Sequence, residues 1–174
     1  LILHGTTIAT NALIERIVAK CALITTKGLR DVLEMGRRDR PDFYGLTGKQ
    51  NPLIPRNLRF EINERMTFKG EIRHKIDAGE VAALAEQLKL ENVAAIVVSL
   101  LHSYVNPAHE EQVAAILKDA NPEWEIVTSA AMTREYYDFE RTSTATIPAF
   151  LQPLIKGYHA NLLQRPAYSR FAKQ

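Results

Sequence analysis

The run Ala94-Ala95-Ile96-Val97-Val98-Ser99-Leu100-Leu101 carries no alternation of polar and apolar residues. A strand with one wet face alternates, so an unbroken apolar run of this length reads as a strand buried on both faces, in the middle of a sheet. The segments on either side read as helices. Asp77 and Glu80 stand three apart just ahead of Val81, Leu84, Ala85 and Leu88, a capping-box pattern opening a helix with its apolar stripe at helical spacing. Asn106 and Pro107 form an N-cap and first-turn pair ahead of Val113, Ile116 and Leu117, and Asn121-Pro122 stops that helix. Trp124 to Thr128 then reads as another strand. Helix, strand, helix and strand in this order predict an α/β chain whose strands are joined by crossover connections.

The remaining segments fill in around that unit. Leu1 to Leu3 reads as a strand already in progress, with no turn or capping residue ahead of it, so the chain is expected to be a piece of a longer polypeptide. Ala22 to Thr26 is a second strand, stopped by Lys27-Gly28. Arg59 to Phe68 alternates and ends at Lys69-Gly70-Glu71, which predicts a hairpin or an edge strand with one wet face. Thr10 to Val18 and Leu29 to Met35 are shorter helical candidates. Arg37 to Arg56 holds three of the eight prolines and two of the eight glycines, as a long irregular loop would. From Thr142 to Leu163 the chain reads as helical, interrupted by Pro148 and Pro153.

Composition excludes several classes. With 22 Lys+Arg against 20 Asp+Glu, the net charge of +2 lacks the single-sign excess of a nucleic-acid or membrane-surface binder. The longest apolar run, Val93 to Leu101, is about half of what a bilayer span needs. The single cysteine, Cys21, rules out intrachain disulfides and cysteine-cluster metal sites, and a cytoplasmic setting is the expectation. At 174 residues the chain is long enough for a core without staples.

Three clusters could carry chemistry. His4-Gly5-Thr6-Thr7-Ile8-Ala9-Thr10-Asn11 falls where a strand gives way to a helix. There Gly5 lets backbone approach a ligand, free amides favour an anion, and the threonine hydroxyls add donors. The same residues also suit an ordinary cap, a tight turn and a structural histidine. Arg37, Arg38, Asp39 and Arg40 bring three guanidinium groups to the start of the long loop, either to clamp a carboxylate or phosphate or as a solvated turn. Arg134 to Thr144 mixes carboxylates, arginines, tyrosines and hydroxyls; Asp138 or Glu140 could orient water and Arg141 could neutralise developing charge, or the segment is an ion-paired helix start capped by Thr142 or Ser143. His102 and His109 do not supply enough convergent ligands for a metal, so no metal site is expected.

In order along the chain, several segments resemble one family. They are His4 to Arg16, Ala22 to Arg37, Arg40-Pro41-Asp42, Leu100-Leu101-His102-Ser103-Tyr104, Asn106-Pro107-Ala108-His109-Glu110 and Glu140-Arg141-Thr142-Ser143-Thr144. This series is similar to the N-terminal region of the ATP-dependent hydantoinase/5-oxoprolinase family, and the similarity runs from residue 1 to about residue 163. It implies an α/β fold, part of an actin-like ATPase (ribonuclease H-like) lobe with a mixed sheet and flanking helices. Residues 1–140 would form the family's N-terminal domain, truncated at its start, and 141–174 a helical connection to a second ATPase lobe. The implied activity is ATP- and Mg²⁺-dependent opening of a cyclic amide such as hydantoin or 5-oxoproline, by phosphoryl activation of the carbonyl oxygen. Related large subunits serve ketone carboxylases, and a non-catalytic interaction domain is a further alternative.

The resemblance also implies site roles and partners. His4, Gly5, Thr6, Thr7 and Asn11 would lie near the phosphates or the reacting oxygen. Arg37 would face an anionic substrate, and Asp138, Glu140 and Arg141 would border the catalytic cleft. A hydantoinase B-type subunit or domain is the expected partner, in a homo- or hetero-oligomer, with no nucleic acid and no membrane. The sequence departs from the family at Pro148, where an asparagine is expected, and in the tail from Gln164 to Gln174. It also lacks the two Asp-Gly-Gly-Thr-like phosphate loops, so the 174-residue chain alone is expected not to hydrolyse ATP.

Overall fold

A computed structural model of the chain describes residues 6–16, 19–37, 44 and 51–164. Two strands carry the centre of the core: β1 (Cys21–Thr26) and β5 (Ala95–Ser99), every residue of both buried. They pair in parallel, Cys21 opposite Ala95 and Thr25 opposite Ser99. Strand β2 (Arg59–Ile62) adds to the outer side of β1, and β6 (Glu125–Thr128) to the outer side of β5, both again parallel. The sheet order is therefore β2-β1-β5-β6. The apolar run at residues 94–101 occupies the interior position that its lack of alternation demands.

The segment 59–68 turns out to be both things its pattern allowed. Its first part is the parallel edge strand β2, and after Asn63-Glu64 the chain leaves the sheet to form β3 (Arg65–Met66), paired antiparallel with β4 (Ile72–His74). The mixed pairing expected from the sequence is thus divided between a wholly parallel four-stranded sheet and a separate two-stranded hairpin. Gly70 closes this hairpin at φ +81°, and a Cβ there would meet Val105 Cγ1 at 3.0 Å, so the turn needs glycine for both conformation and space. Asn106 Nδ2 donates to the Gly70 carbonyl at 2.9 Å and ties the hairpin to the loop after β5.

Helices cover the sheet in two groups. Helices α3 (Ala78–Leu90) and α4 (Ala108–Ala120) pack together, α3 burying Val81, Leu84, Ala85 and Leu88 and α4 burying Val113 and Leu117. Asp77 caps α3 by accepting the Gly79 N–H at 2.8 Å. The reciprocal half of the expected capping box is redirected: the Glu80 carboxylate accepts the Asn63 N–H at 3.1 Å and so fastens α3 to the end of β2. Asn106 Oδ1 accepts the Ala108 N–H at 3.1 Å, with Pro107 already in helical conformation, as the Asn-Pro pair predicts.

The second group comprises α1 (Ile8–Glu15), the one-turn α2 (Val32–Met35) and α6 (Asp138–Gln164), with a short α5 (Ser129–Met132) leading into it. Helix α6 differs from expectation at two places. It begins at Asp138, not at Thr142, and Thr142 is not a cap but a buried residue whose hydroxyl bonds Ser99 Oγ at 2.7 Å. It also runs through Pro148 and Pro153 without interruption, although each proline deprives the carbonyl four residues earlier of its partner. Burial of Ala145, Ala149 and Phe150 against β5 and β6 outweighs that local cost. Helix α1 starts earlier than the periodicity suggests and ends at Arg16, which adopts φ 54°. The expected strand Leu1–Leu3 and most of the loop from Arg37 to Arg56 lie outside the described residues. No helix among the described residues is long and apolar enough to cross a membrane.

Because β5 is packed on both faces, Ile96→Ala is expected to lower unfolding free energy by about 2–5 kcal/mol in urea titrations. Leu90→Ala, at an exposed site on α3, should stay within about 0.5 kcal/mol of the parent chain.

Candidate functional site

Successive main-sheet strands run to one side from β1 to β2 and then to the other side from β1 to β5, so the order of winding reverses between β1 and β5. In open α/β sheets, ligands gather at the carboxyl ends of the strands near such a reversal. Here that edge is occupied by two buried polar networks. In the first, Thr26 Oγ1 at the end of β1 donates to Glu64 Oε1 and accepts the Leu101 N–H at 2.9 Å. The other Glu64 oxygen meets His109 Nδ1 at 2.7 Å, with both residues buried. Facing a carboxylate, that ring nitrogen is the donor.

The second network joins the ends of β5 and β6 to the start of α6. Glu110 is fully buried and accepts three hydrogen bonds, from Leu100 N at 2.8 Å, Ser129 Oγ at 2.6 Å and Ala130 N at 2.9 Å. Ser129 Oγ in turn accepts from Arg141 Nε at 3.1 Å. The Arg141 guanidinium, also fully buried, donates to the carbonyls of Glu135 and Leu100 at 2.9 Å each and to Asp138 Oδ1 at 2.7 Å. Its Cζ lies 5.6 Å from the Tyr104 ring centroid, within cation–π range. Four of its five N–H positions are engaged, an arrangement for which the planar fork of arginine is suited and the ammonium of lysine is not.

Arg141 therefore acts on its surroundings by holding Asp138 and the first turn of α6. That turn borders an open cleft of about 680 Å³ lined by Gly36, Arg37, Glu135, Tyr137, Asp138, Phe139 and Glu140. Across it Arg37 Nε meets Glu140 Oε1 at 2.7 Å, joining two of the sequence clusters over 103 residues. The Arg37 hydrogen bond holds the Glu140 carboxyl below the usual carboxylate range. Arg37 owes its placement to Gly36, at φ 52° and ψ −141°, a conformation open to glycine. Upstream, the buried Arg59 donates to Glu34 at 3.0 Å and to the Ile54 carbonyl at 3.0 Å, pinning α2 to the segment before β2.

The other candidate residues stand apart from this cleft's lining. Thr6, Thr7 and Asn11 are exposed at the start of α1, which packs on α6. Their bonds are local: Thr6 Oγ1 accepts Ile8 N at 3.3 Å, and Asn11 Nδ2 donates to Thr7 Oγ1 at 3.4 Å. His4, Gly5 and the residues Arg38–Asp42 lie outside the described residues. Cys21 is buried in β1, and burial pushes its thiol up to about 12, which removes it as a nucleophile. Among the described residues, no three His, Cys, Asp or Glu side chains come together as metal ligands. The buried Glu64, His109, Glu110 and Ser129 were not singled out as a network by the sequence, because each gains its role from partners distant along the chain.

The two kinds of arginine can be told apart. Arg141→Ala strands Asp138 and removes a buried cation from its ring of acceptors, and should cost about 3–5 kcal/mol of unfolding free energy. Arg37→Ala should lower the unfolding midpoint only slightly, as expected for an exposed ion pair, while raising the Glu140 pKa toward the ordinary value of about 4.3, read by carboxyl-carbon NMR titration. The sign follows from the depressed folded value: the pair contributes above the unfolded pKa and is lost as pH falls through the folded one.

The family model for the hydantoinase/oxoprolinase N-terminal region matches residues 1–121. The chain is 40% identical over 167 residues to an uncharacterized protein of Methanocaldococcus jannaschii, covering 94% of this chain and 25% of that protein. It is 31% identical over 190 residues to the acetophenone carboxylase gamma subunit of Aromatoleum aromaticum, covering 94% of this chain and 26% of the subunit. The crystal structure of the ATP-dependent caprolactamase from Pseudomonas jessenii superposes with a TM-score of 0.84 at 28% identity, over 91% of this chain and 23% of the other. The chain thus spans about a quarter of the length of the proteins it matches. With the family model covering most of its length, the chain belongs to the hydantoinase/oxoprolinase N-terminal region family.

Proposed function

We propose that the chain is part of an ATP-dependent hydrolase that opens a cyclic amide ring. The observation that carries this reading is the extent of the likeness to the ATP-dependent caprolactamase, which takes in nine-tenths of the chain at a TM-score of 0.84. ATP would supply a phosphoryl group to the amide oxygen, which makes the ring carbon a better target for water. The nucleotide loops and Mg²⁺ would come from outside this chain, in a protein of the two-lobed actin-like ATPase type. The stretch 141–174 would connect to its second lobe, and a hydantoinase B-type subunit or domain would be the partner.

Within this proposal the chain's own residues position and exclude. Asp138, fixed by the buried Arg141, and Glu140, kept ionised by Arg37, place two carboxylates two residues apart in the lining of the cleft, where either can accept a proton from water. Arg37 has one N–H on Glu140 and no other hydrogen-bond partner among the described residues, and the rest of its fork would face an anionic group on the substrate. Thr6, Thr7 and Asn11, with His4 and Gly5, supply hydroxyl, amide and backbone donors near the phosphates. Arg141 is a positioning residue in this scheme, since its guanidinium is spent on protein acceptors.

A second reading, the ATP-using subunit of a ketone carboxylase, is favoured by the match to the acetophenone carboxylase gamma subunit. ADP release by the full-length protein with its partner subunit separates the two. Turnover with hydantoin, 5-oxoproline or caprolactam is expected, and turnover with acetophenone alone would replace the first reading by the second. In the same assay Arg37→Ala should raise KM and Asp138→Asn should lower kcat; unchanged kinetics in both would remove the cleft from the mechanism.

A further inference from the structure

A second cleft, of about 570 Å³, opens at the carboxyl ends of β1 and β2, against the β3–β4 hairpin. Lys27, Arg65, Arg73 and His74 line it, with Asn63 and Glu64. None of the three permanent cations in this set has a carboxylate partner among the described residues, whereas Arg37, Arg56, Arg59 and Arg141 each have one. The acid in the lining, Glu64, is buried and has both oxygens engaged, by Thr26 and His109. The cleft is therefore a concave site lined by three cations that have no carboxylate ion-pair partner among the described residues, on the sheet edge where α/β folds bind ligands.

Its walls are fixed. The Lys27 N–H donates to the Ile62 carbonyl at 3.0 Å, and Glu61 Oε1 accepts Gly28 N at 2.7 Å and Arg30 N at 3.3 Å, so the turn carrying Lys27 is held from both sides. Arg65 Nη2 donates to the Lys27 carbonyl at 3.2 Å, which sets the guanidinium against the turn that carries Lys27, and it has no other hydrogen-bond partner among the described residues. Arg73 stands on β4 next to His74, the residue that pairs with Arg65 across the hairpin, and Asn106 and the Gly70 turn anchor that hairpin to the loop after β5. Cations presented from separate elements, the turn after β1 and the two strands of the hairpin, suit an anion with more than one charged group.

We propose that this cleft is a binding site for a phosphate-bearing small molecule, held by Lys27, Arg65 and Arg73 and separate from the Arg37–Glu140 cleft. The shared chemistry is a di- or polyphosphate, either free or at the end of a nucleotide. Calorimetric titration of the 174-residue chain with inorganic pyrophosphate, and separately with ADP, tests it without reference to catalysis. Saturable 1:1 binding of pyrophosphate is expected, weakening with added salt. Arg65→Gln and Arg73→Gln should each weaken it about tenfold or more, at unchanged unfolding midpoints. Arg65→Lys should recover only part of the loss, while Arg37→Gln in the other cleft and Lys89→Gln on α3 should leave affinity unchanged. ADP binding as tightly as pyrophosphate would mean that the phosphates alone are read, and tighter ADP binding would identify a nucleotide as the source. Absence of saturable binding by either probe, or equal weakening by Lys89→Gln and Arg65→Gln, would overturn the proposal.

Discussion

A guanidinium buried without its full set of acceptors would destabilise any fold of this size, and Arg141 sits fully buried between the end of β5 and the first turn of α6. What makes its burial tolerable is that the surrounding chain presents carbonyls, a hydroxyl and a carboxylate in the directions in which the fork points. Ser129 joins this cation to the equally buried Glu110, which is itself satisfied by backbone amides from the ends of β5 and β6. One connected network therefore fixes the start of α4, the loop after β5, the short α5 and the start of α6. Remove it, and the carboxylates of Asp138 and Glu140 lose the frame that holds them at the cleft.

The same edge of the sheet carries a second buried pair, Glu64 and His109, tied to the end of β1 through Thr26. Glu64 of this pair also lines the open cleft bounded by Lys27 and the hairpin, while the cleft bounded by Arg37 and the α6 start has a separate lining. The sheet's carboxyl end thus has rigid, fully hydrogen-bonded ground between two charged hollows. Such a layout suits an enzyme part in which positioning has to survive the departure of substrate, since the groups that hold the cleft walls do not depend on a ligand for their partners.

Legibility followed the range of the interactions involved. The position of β5 could be read from residues 94–101 alone, because two-sided burial leaves its mark as a missing alternation. The caps at Asp77 and Asn106 are likewise local and were where the spacing put them. Glu80 was not: its geometry within the helix is that of a capping box, yet Asn63, 17 residues earlier, offers an N–H at the edge of the sheet. The early start of α6 and its continuity through two prolines depend on Arg141 and on packing against β5 and β6, neither visible to a local pattern. At the site, Arg37 and Glu140 were each singled out within their own clusters, but nothing local indicates that they meet. Glu110 reads as an ordinary first-turn acid, and only Leu100, Ser129 and Ala130 make it a buried hub.

The proposed opening of a cyclic amide by phosphoryl activation of its carbonyl oxygen is tested most directly in the full-length protein by turnover of a substrate whose amide carbonyl carries oxygen-18, in ordinary water, with mass analysis of the phosphate released. The expected result is label in the phosphate, at one atom per ring opened. Label retained wholly in the ring-opened acid, with unlabelled phosphate, would contradict it.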